Sequence, residues 1–205
     1  KCISECGGIR IFGRRIKSLV FSTDVAIIKN VNADAIIAVY PFTPQPSITQ
    51  AIISVSEVPV FVGVGGGMTN GDRSVRLAEF SEHQGASGVV VNAPISNETI
   101  AKMKAVVDIP VVTTIVSGDM DIAGRLAAGA DILNVSGASR TPEIVTKIRA
   151  EFPTVPIIAT GGPREEDILR TIEAGANAIT YTPPTTGQLF ADIMISHRKN
   201  FSHQD

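Results

Sequence analysis

The chain has 205 residues, 44% of them hydrophobic and 19% charged, and a formal net charge of −2. That balance excludes the basic face a nucleic-acid partner needs, and no apolar run approaches the roughly 18–20 residues that cross a bilayer, so no membrane partner is expected. What remains is a cytoplasmic protein of one domain with a small molecule as its partner.

Residues 1–17 read as a short N-terminal capping segment. It carries Cys2 and Cys6, a C-x-x-x-C pair without His or Cys companions. That is a poor zinc site, and two reduced thiols of a cytosolic protein are the plain reading. The chain opens on Lys1 rather than Met, which implies further residues upstream. From residue 18 the pattern alternates strand and helix. Strand one is 18–22, in K-S-L-V-F-S-T-D. Strand two is N-A-D-A-I-I-A-V-Y-P (32–41), followed by a loop stiffened by Pro41, Pro44 and Pro46. Strand three is V-P-V-F-V-G-V-G-G-G from Val58, then a helical pattern over 77–84. Strand four is G-A-S-G-V-V-V-N-A-P (85–94), then a helix over 98–107. Strand five is I-P-V-V-T-T-I-V-S-G from Ile109, then a helix over 121–128. Strand six is G-A-D-I-L-N-V-S-G-A (129–138), then a helix over 142–151. Strand seven is V-P-I-I-A-T-G-G-P from Val155, then a helix over 165–174, and strand eight is G-A-N-A-I-T-Y-T-P-P (175–184).

Strands that are apolar throughout belong in a parallel sheet buried on both faces. The segments between them place apolar residues three and four apart with charges between, the spacing of a one-faced helix. Eight such units predict an α/β protein, a single (β/α)8 TIM barrel over 18–205. An open doubly wound sheet alternates in the same way, but G-x-G-x-x-G does not follow strand one.

In a barrel, chemistry sits at the C-terminal ends of the strands. A-T-G-G-P-R after strand seven (Gly161, Gly162) and T-P-P-T-T-G after strand eight (Thr182, Thr185, Thr186, Gly187) bring amides and hydroxyls to a helix start, where an anion such as phosphate binds. The competing reading is that the glycines only permit a tight turn. Opposite lie Gly65, Gly66 and Gly67 with Arg73, either a second anion site or an inherited flexible loop. Asp24 follows strand one; it is a general base or ligand contact if burial raises its pKa, or the N-cap of V-A-I-I-K-N. Asn92, Thr114 and Asn134 are placed to orient a substrate. No H-x-H or carboxylate cluster suggests a metal, and no barrel strand carries a Schiff-base lysine beyond Lys17 at its very start. His83, His197 and His203 read as surface residues.

From about 110 to 184, I-P-V-V-T-T-I, A-G-R-L-A-A-G-A-D-I-L-N-V, V-P-I-I-A-T-G-G and E-A-G-A-N-A-I resemble the phosphate-binding TIM barrels, the group of ribulose-phosphate-binding, inosine-monophosphate-dehydrogenase-like and nitronate-monooxygenase-like enzymes. The resemblance implies that Gly161 and Gly162, with the turn at 182–186, hold the phosphate of a substrate or of FMN. Y-T-P-P-T-T-G replaces the usual Gly-Ser or Gly-Thr turn, and N-V-S-G-A-S-R after strand six has neither the nucleophilic Cys nor the His of the redox members. The whole chain also is similar to bacterial proteins that carry only a generic hydrolase label. The expectation is an enzyme needing no metal or other cofactor, acting on a small phosphorylated metabolite as a lyase, isomerase or epimerase, or hydrolase. An FMN-binding oxidoreductase and a non-catalytic phospho-ligand sensor are the alternatives. Ile193, Met194 and Ile195 mark either a homodimer contact or a helix packed on the barrel.

Overall fold

The computed structural model describes residues 2–201. Eight strands run parallel: β3 (Ser18–Phe21), β4 (Ala35–Ala38), β5 (Val60–Gly65), β6 (Gly88–Val91), β7 (Val111–Ile115), β8 (Ile132–Val135), β9 (Ile157–Thr160) and β10 (Ala178–Tyr181). Each pairs with the next, and β10 returns to β3 to close the barrel. The helices are α1 (Val25–Asn30), α2 (Pro46–Val55), α3 (Asp72–His83), α4 (Asn97–Lys104), α5 (Ile122–Ala127), α6 (Thr141–Glu151), α7 (Glu165–Glu173) and α8 (Thr186–Phe201). The (β/α)8 barrel read from the alternation is therefore the fold. Before it come a 3-10 turn, Cys2–Glu5, and a hairpin of β1 (Ile9–Ile11) and β2 (Arg14–Ile16).

The recurring Gly-Ala phrase has a local cause. Gly85, Gly129 and Gly175 follow α3, α5 and α7 with φ of +97°, +106° and +108°, a left-handed turn that costs glycine little. The next residue's amide reaches back to the helix, Ala86 to the Ser81 carbonyl (3.0 Å) and Ala130 to that of Arg125 (3.1 Å), so each phrase ends a helix in a Schellman motif. The polar residue that comes next then caps the neighbouring strand. After Gly129-Ala and Gly175-Ala, Asp131 accepts from the Val111 amide (2.8 Å) and Asn177 from that of Ile157 (2.9 Å), and after the related Asn32-Ala33 an Asp34 oxygen accepts from the Lys17 (2.9 Å) and Ser18 (3.0 Å) amides. Buried backbone donors must find a partner, so Gly-Ala-Asp or Gly-Ala-Asn ends a helix, opens one strand and satisfies the start of the strand beside it.

Side-chain alternation divides the core. Leu19, Ile37, Phe61, Val112, Ile132 and Ile158 cluster inside the barrel with Ile9, Ile11 and Ile16 of the hairpin, which closes the N-terminal end of the barrel. Val20, Ile36, Val62 and Val89 face outward onto α1 to α4, and Leu133, Val135 and Ile179 onto α5 to α7. No described helix is long and apolar enough to cross a membrane.

Candidate functional site at the barrel mouth

Residues two beyond the inner cluster share its face, because strand side chains alternate. On β7 to β10 those positions are Thr114, Asn134, Thr160 and Thr180, a polar surface above an apolar floor. Asn134 donates an amide hydrogen to the Thr114 hydroxyl at 3.4 Å, and the Thr160 hydroxyl donates to that of Ser136 at 3.3 Å. Thr180 is only 6% exposed, and its Oγ1 has no hydrogen-bond partner. A buried hydroxyl without a partner is costly. Thr113 also has an unpartnered hydroxyl, but one residue off Thr114 it faces the helices instead.

Across the mouth, Asn92 lines a narrow cavity of about 80 Å³ with Val39, Tyr40, Gly63, Gly65 and Thr69. The loop carrying Asn92 is held from behind by Arg125, nine-tenths buried on α5. Its guanidinium donates to the carbonyls of Ala93 (2.7 Å) and Ile95. Burial pulls the Arg125 pKa down, and Asp121 offsets part of that. Sequence reasoning missed both Arg125 and Thr180. The signals were a lone cation among small residues in A-G-R-L-A-A, and a hydroxyl two positions beyond Ala178.

The glycine and threonine cluster after strands seven and eight is largely committed to holding the fold. The Gly161 amide donates to the Thr180 carbonyl (3.2 Å), and a Cβ there would lie 2.7 Å from Ile179. The amide of Gly161 is thus a sheet donor, where the sequence suggested a phosphate donor. Thr185 and Gln188 form a reciprocal capping box: the Thr185 amide donates to Gln188 Oε1 (2.9 Å), and the Gln188 amide donates to Thr185 Oγ1 (3.2 Å). Gly187 lies exposed inside that first turn of α8. The Thr186 hydroxyl donates to Asp24. Gly162, with φ of +81°, and Thr182 do meet at the rim of a shared groove.

Asp24 is the N-cap of α1, accepting from the amides of Ala26 (2.9 Å) and Ile27 (3.3 Å). The Thr186 hydroxyl first, then those amides, hold its pKa below the usual carboxylate value, outweighing the opposing desolvation. The condition set for a base, a pKa raised by burial, is not met. The glycine loop after β5 has a similar explanation. Gly66 donates to the Thr69 carbonyl (2.9 Å), and a Cβ at Gly66 would lie 2.5 Å from the Asn92 nitrogen. Glycine lets that loop lie against the Asn92 backbone, while Gly67 is open. Arg73 is exposed on α3 and does not line the cavity that Gly65 and Gly67 share, so the second anion site is not assembled. His83 and His197 are exposed on α3 and α8, and His203 lies outside the described residues.

No group of three or more His, Cys, Asp or Glu side chains able to hold a metal occurs among the described residues. Magnesium is commonly bound through one or two carboxylates together with substrate oxygens. Of the carboxylates near the mouth, Asp24 is already engaged by Thr186 and two amides, and Asp167, beside Gly161 and Gly162, is paired with Arg164. These residues do not fit a prebuilt magnesium site.

No protein-family model and no curated protein matches the chain. Solved structures do. A putative phosphonomutase from Burkholderia cenocepacia J2315 superposes with a TM-score of 0.65 at 16% identity, covering 92% of both chains. Phosphonopyruvate hydrolase in complex with oxalate and Mg++ gives 0.65 at 15% identity, over 92% of this chain and 82% of that one. A 2,3-dimethylmalate lyase of the PEP mutase/isocitrate lyase superfamily gives 0.68 at 14%, over 89% and 81%. The hydrolase solved with Mg++ overturns the cofactor expectation from sequence, which was none required with FMN as the option. At these identities the likeness establishes that the chain shares the TIM-barrel fold of these enzymes.

Proposed function

We propose that the chain is an enzyme of lyase, isomerase or hydrolase type that binds a small phosphorylated metabolite at the C-terminal mouth of the barrel. The observation that carries the reading is the inward polar surface of Thr114, Asn134, Thr160 and Thr180, with the Thr180 hydroxyl buried and unpartnered. A ligand oxygen over β9 and β10 would supply that missing partner. Gly162 and Thr182 at the rim form the polar end that suits the phosphate, and Asn92 faces the ligand from the other side. The fold neighbours support the reaction type, being a mutase, a hydrolase and a lyase by name, although a fold alone does not select a chemistry.

In this reading the hydroxyls and amides orient the ligand by neutral hydrogen bonds. Asp24 stays ionised and holds the start of α8 through Thr186. That engagement favours a second reading, a barrel that binds a phosphorylated effector without turning it over. Calorimetric titration with inorganic phosphate, oxalate and phosphonopyruvate, each with and without Mg2+, tests the site. The proposal expects saturable binding by at least one, weakened in Asn134→Ala. Absence of binding by all three in both conditions counts against it. Consumption of phosphonopyruvate, followed by phosphorus NMR, separates the enzyme from the sensor.

A further inference from the structure

The inward positions above the apolar floor form a ring at the barrel mouth, one from each strand, because side chains alternate along a strand. Asn92, two residues beyond Val90 of the floor, joins Thr114, Asn134, Thr160 and Thr180 as the polar part of that ring. The three remaining strands differ. Two residues beyond Leu19, Ile37 and Phe61 on β3, β4 and β5 stand Phe21, Val39 and Gly63, none of which has a polar side-chain atom. The ring is thus divided into a hydrogen-bonding arc over β6 to β10 and an apolar arc over β3 to β5, and β5 lies opposite β9 in the closed strand order.

The apolar arc is also where the mouth has room. The cavity of about 80 Å³ beside Asn92 is bordered by Val39 and Gly63, and by Phe42 and Met68, two large apolar side chains that are 71% and 86% exposed. Hydrogen bonds hold its walls. The Thr69 hydroxyl donates to that of Thr43 (3.1 Å), joining the loops after β4 and β5, and the Gln45 amide donates to the Tyr40 hydroxyl (2.8 Å). Gly63 is not among the glycines with positive φ, and a Cβ there would meet the Val39 methyls at 3.2–3.3 Å. Backbone conformation therefore does not require glycine, and its missing side chain leaves space beside Val39. We propose that this recess receives a short alkyl end of the ligand, and that Gly63 and Val39 set how long that end can be. The inference rests on the phosphate reading above and narrows it: the ligand is a phosphorylated metabolite whose far end is a hydrocarbon group of a few carbon atoms, the size such a volume admits. A second carboxylate or phosphate does not suit the recess, because none of the residues lining it is cationic and a charge desolvated there would go unpaired.

The test is calorimetric titration of the full chain with n-alkylphosphonates from ethyl to hexyl and with 4-phosphonobutyrate, which is similar in length to pentylphosphonate but ends in a carboxylate. In the unaltered chain affinity should rise about fourfold per carbon over part of the series, the equivalent of ~0.8 kcal/mol per buried methylene. Pentylphosphonate should bind roughly tenfold or more tightly than 4-phosphonobutyrate, whose carboxylate finds no cation. Gly63→Ala shortens the recess, so the rise should stop at a shorter chain. Val39→Ala deepens it, so the rise should continue to a longer one, and this variant decides alone if Gly63→Ala does not fold. Equal affinity along the series, tighter binding of 4-phosphonobutyrate, or a rise that ends at the same length with and without the substitutions overturns the inference and leaves the phosphate reading standing. Failure of every phosphonate to bind, ethylphosphonate included, overturns the phosphate reading and this inference together.

Discussion

Thr180→Val separates the cost of a buried hydroxyl from its use. The Thr180 side chain is 6% exposed with an unpartnered oxygen, and valine matches its shape with a methyl in place of the hydroxyl. An unsatisfied buried hydroxyl costs about 1–3 kcal/mol, so in ligand-free protein the substitution should stabilise by about 1–2 kcal/mol. For a chain of this size that raises Tm by roughly 2–8 °C. In the proposed site the same change removes a hydrogen bond to the ligand, for which a net loss of about 1–2 kcal/mol corresponds to roughly 5–30-fold weaker binding. Thr113→Val is the control, because its oxygen is also unpartnered and its side chain is 0% exposed, but it faces the helices. It should raise Tm similarly and leave binding unchanged. The assay is a scanning-calorimetry melt of dialysed protein with a parallel ligand titration. A lower Tm for Thr180→Val, or equal loss of affinity in both variants, refutes the reasoning.

Arg125→Met should cost about 2–4 kcal/mol, since one buried and one part-buried carbonyl lose a charged donor, and hydrogen exchange should quicken in the loop carrying Asn92. Burial pushes the Cys6 thiol up to about 11, outweighing the opposing pull of Lys17. Its folded pKa lies above its unfolded one, so its contribution is complete below about 8.5 and is lost as pH rises through 11; Cys6→Ala should flatten the stability profile over that window, and native Cys6 should resist thiol reagents at pH 7. Asp24 shifts the other way. Its pKa is lowered by Thr186 and the α1 amides, so its contribution holds above the unfolded value of about 3.9 and falls away as pH drops through the folded one. Asp24→Asn keeps a capping oxygen and should reduce the acid sensitivity measured by melts between pH 5 and pH 2.

The barrel was legible because its repeat does structural work. Gly-Ala-Asp and Gly-Ala-Asn end a helix and cap a strand, so the phrase marks element boundaries directly. The start of α3 was less visible, since its first turn is Asp72 and Arg73 after Gly71, and apolar periodicity begins only at Leu77. At the mouth, the side-chain alternation that places Thr114 and Asn134 could be read from β7 and β8. Thr185 and Thr186 misled because a hydroxyl near a helix start serves a phosphate or a backbone amide equally well, and Gln188, three residues on, decides for the cap. Composition could not show that α8 stands exposed: its apolar residues Leu189, Phe190, Ile193 and Ile195 read equally as a helix packed on the barrel, and only the structure leaves them uncovered.

The most direct test of the central claim is to denature the purified protein and identify released small molecules by mass analysis and phosphorus NMR. The account predicts a small phosphorylated compound near one per chain, depleted in protein carrying Thr180→Val. Release of no phosphorus-containing compound, together with no shift in Tm on adding phosphate or phosphonopyruvate with or without Mg2+, would contradict it.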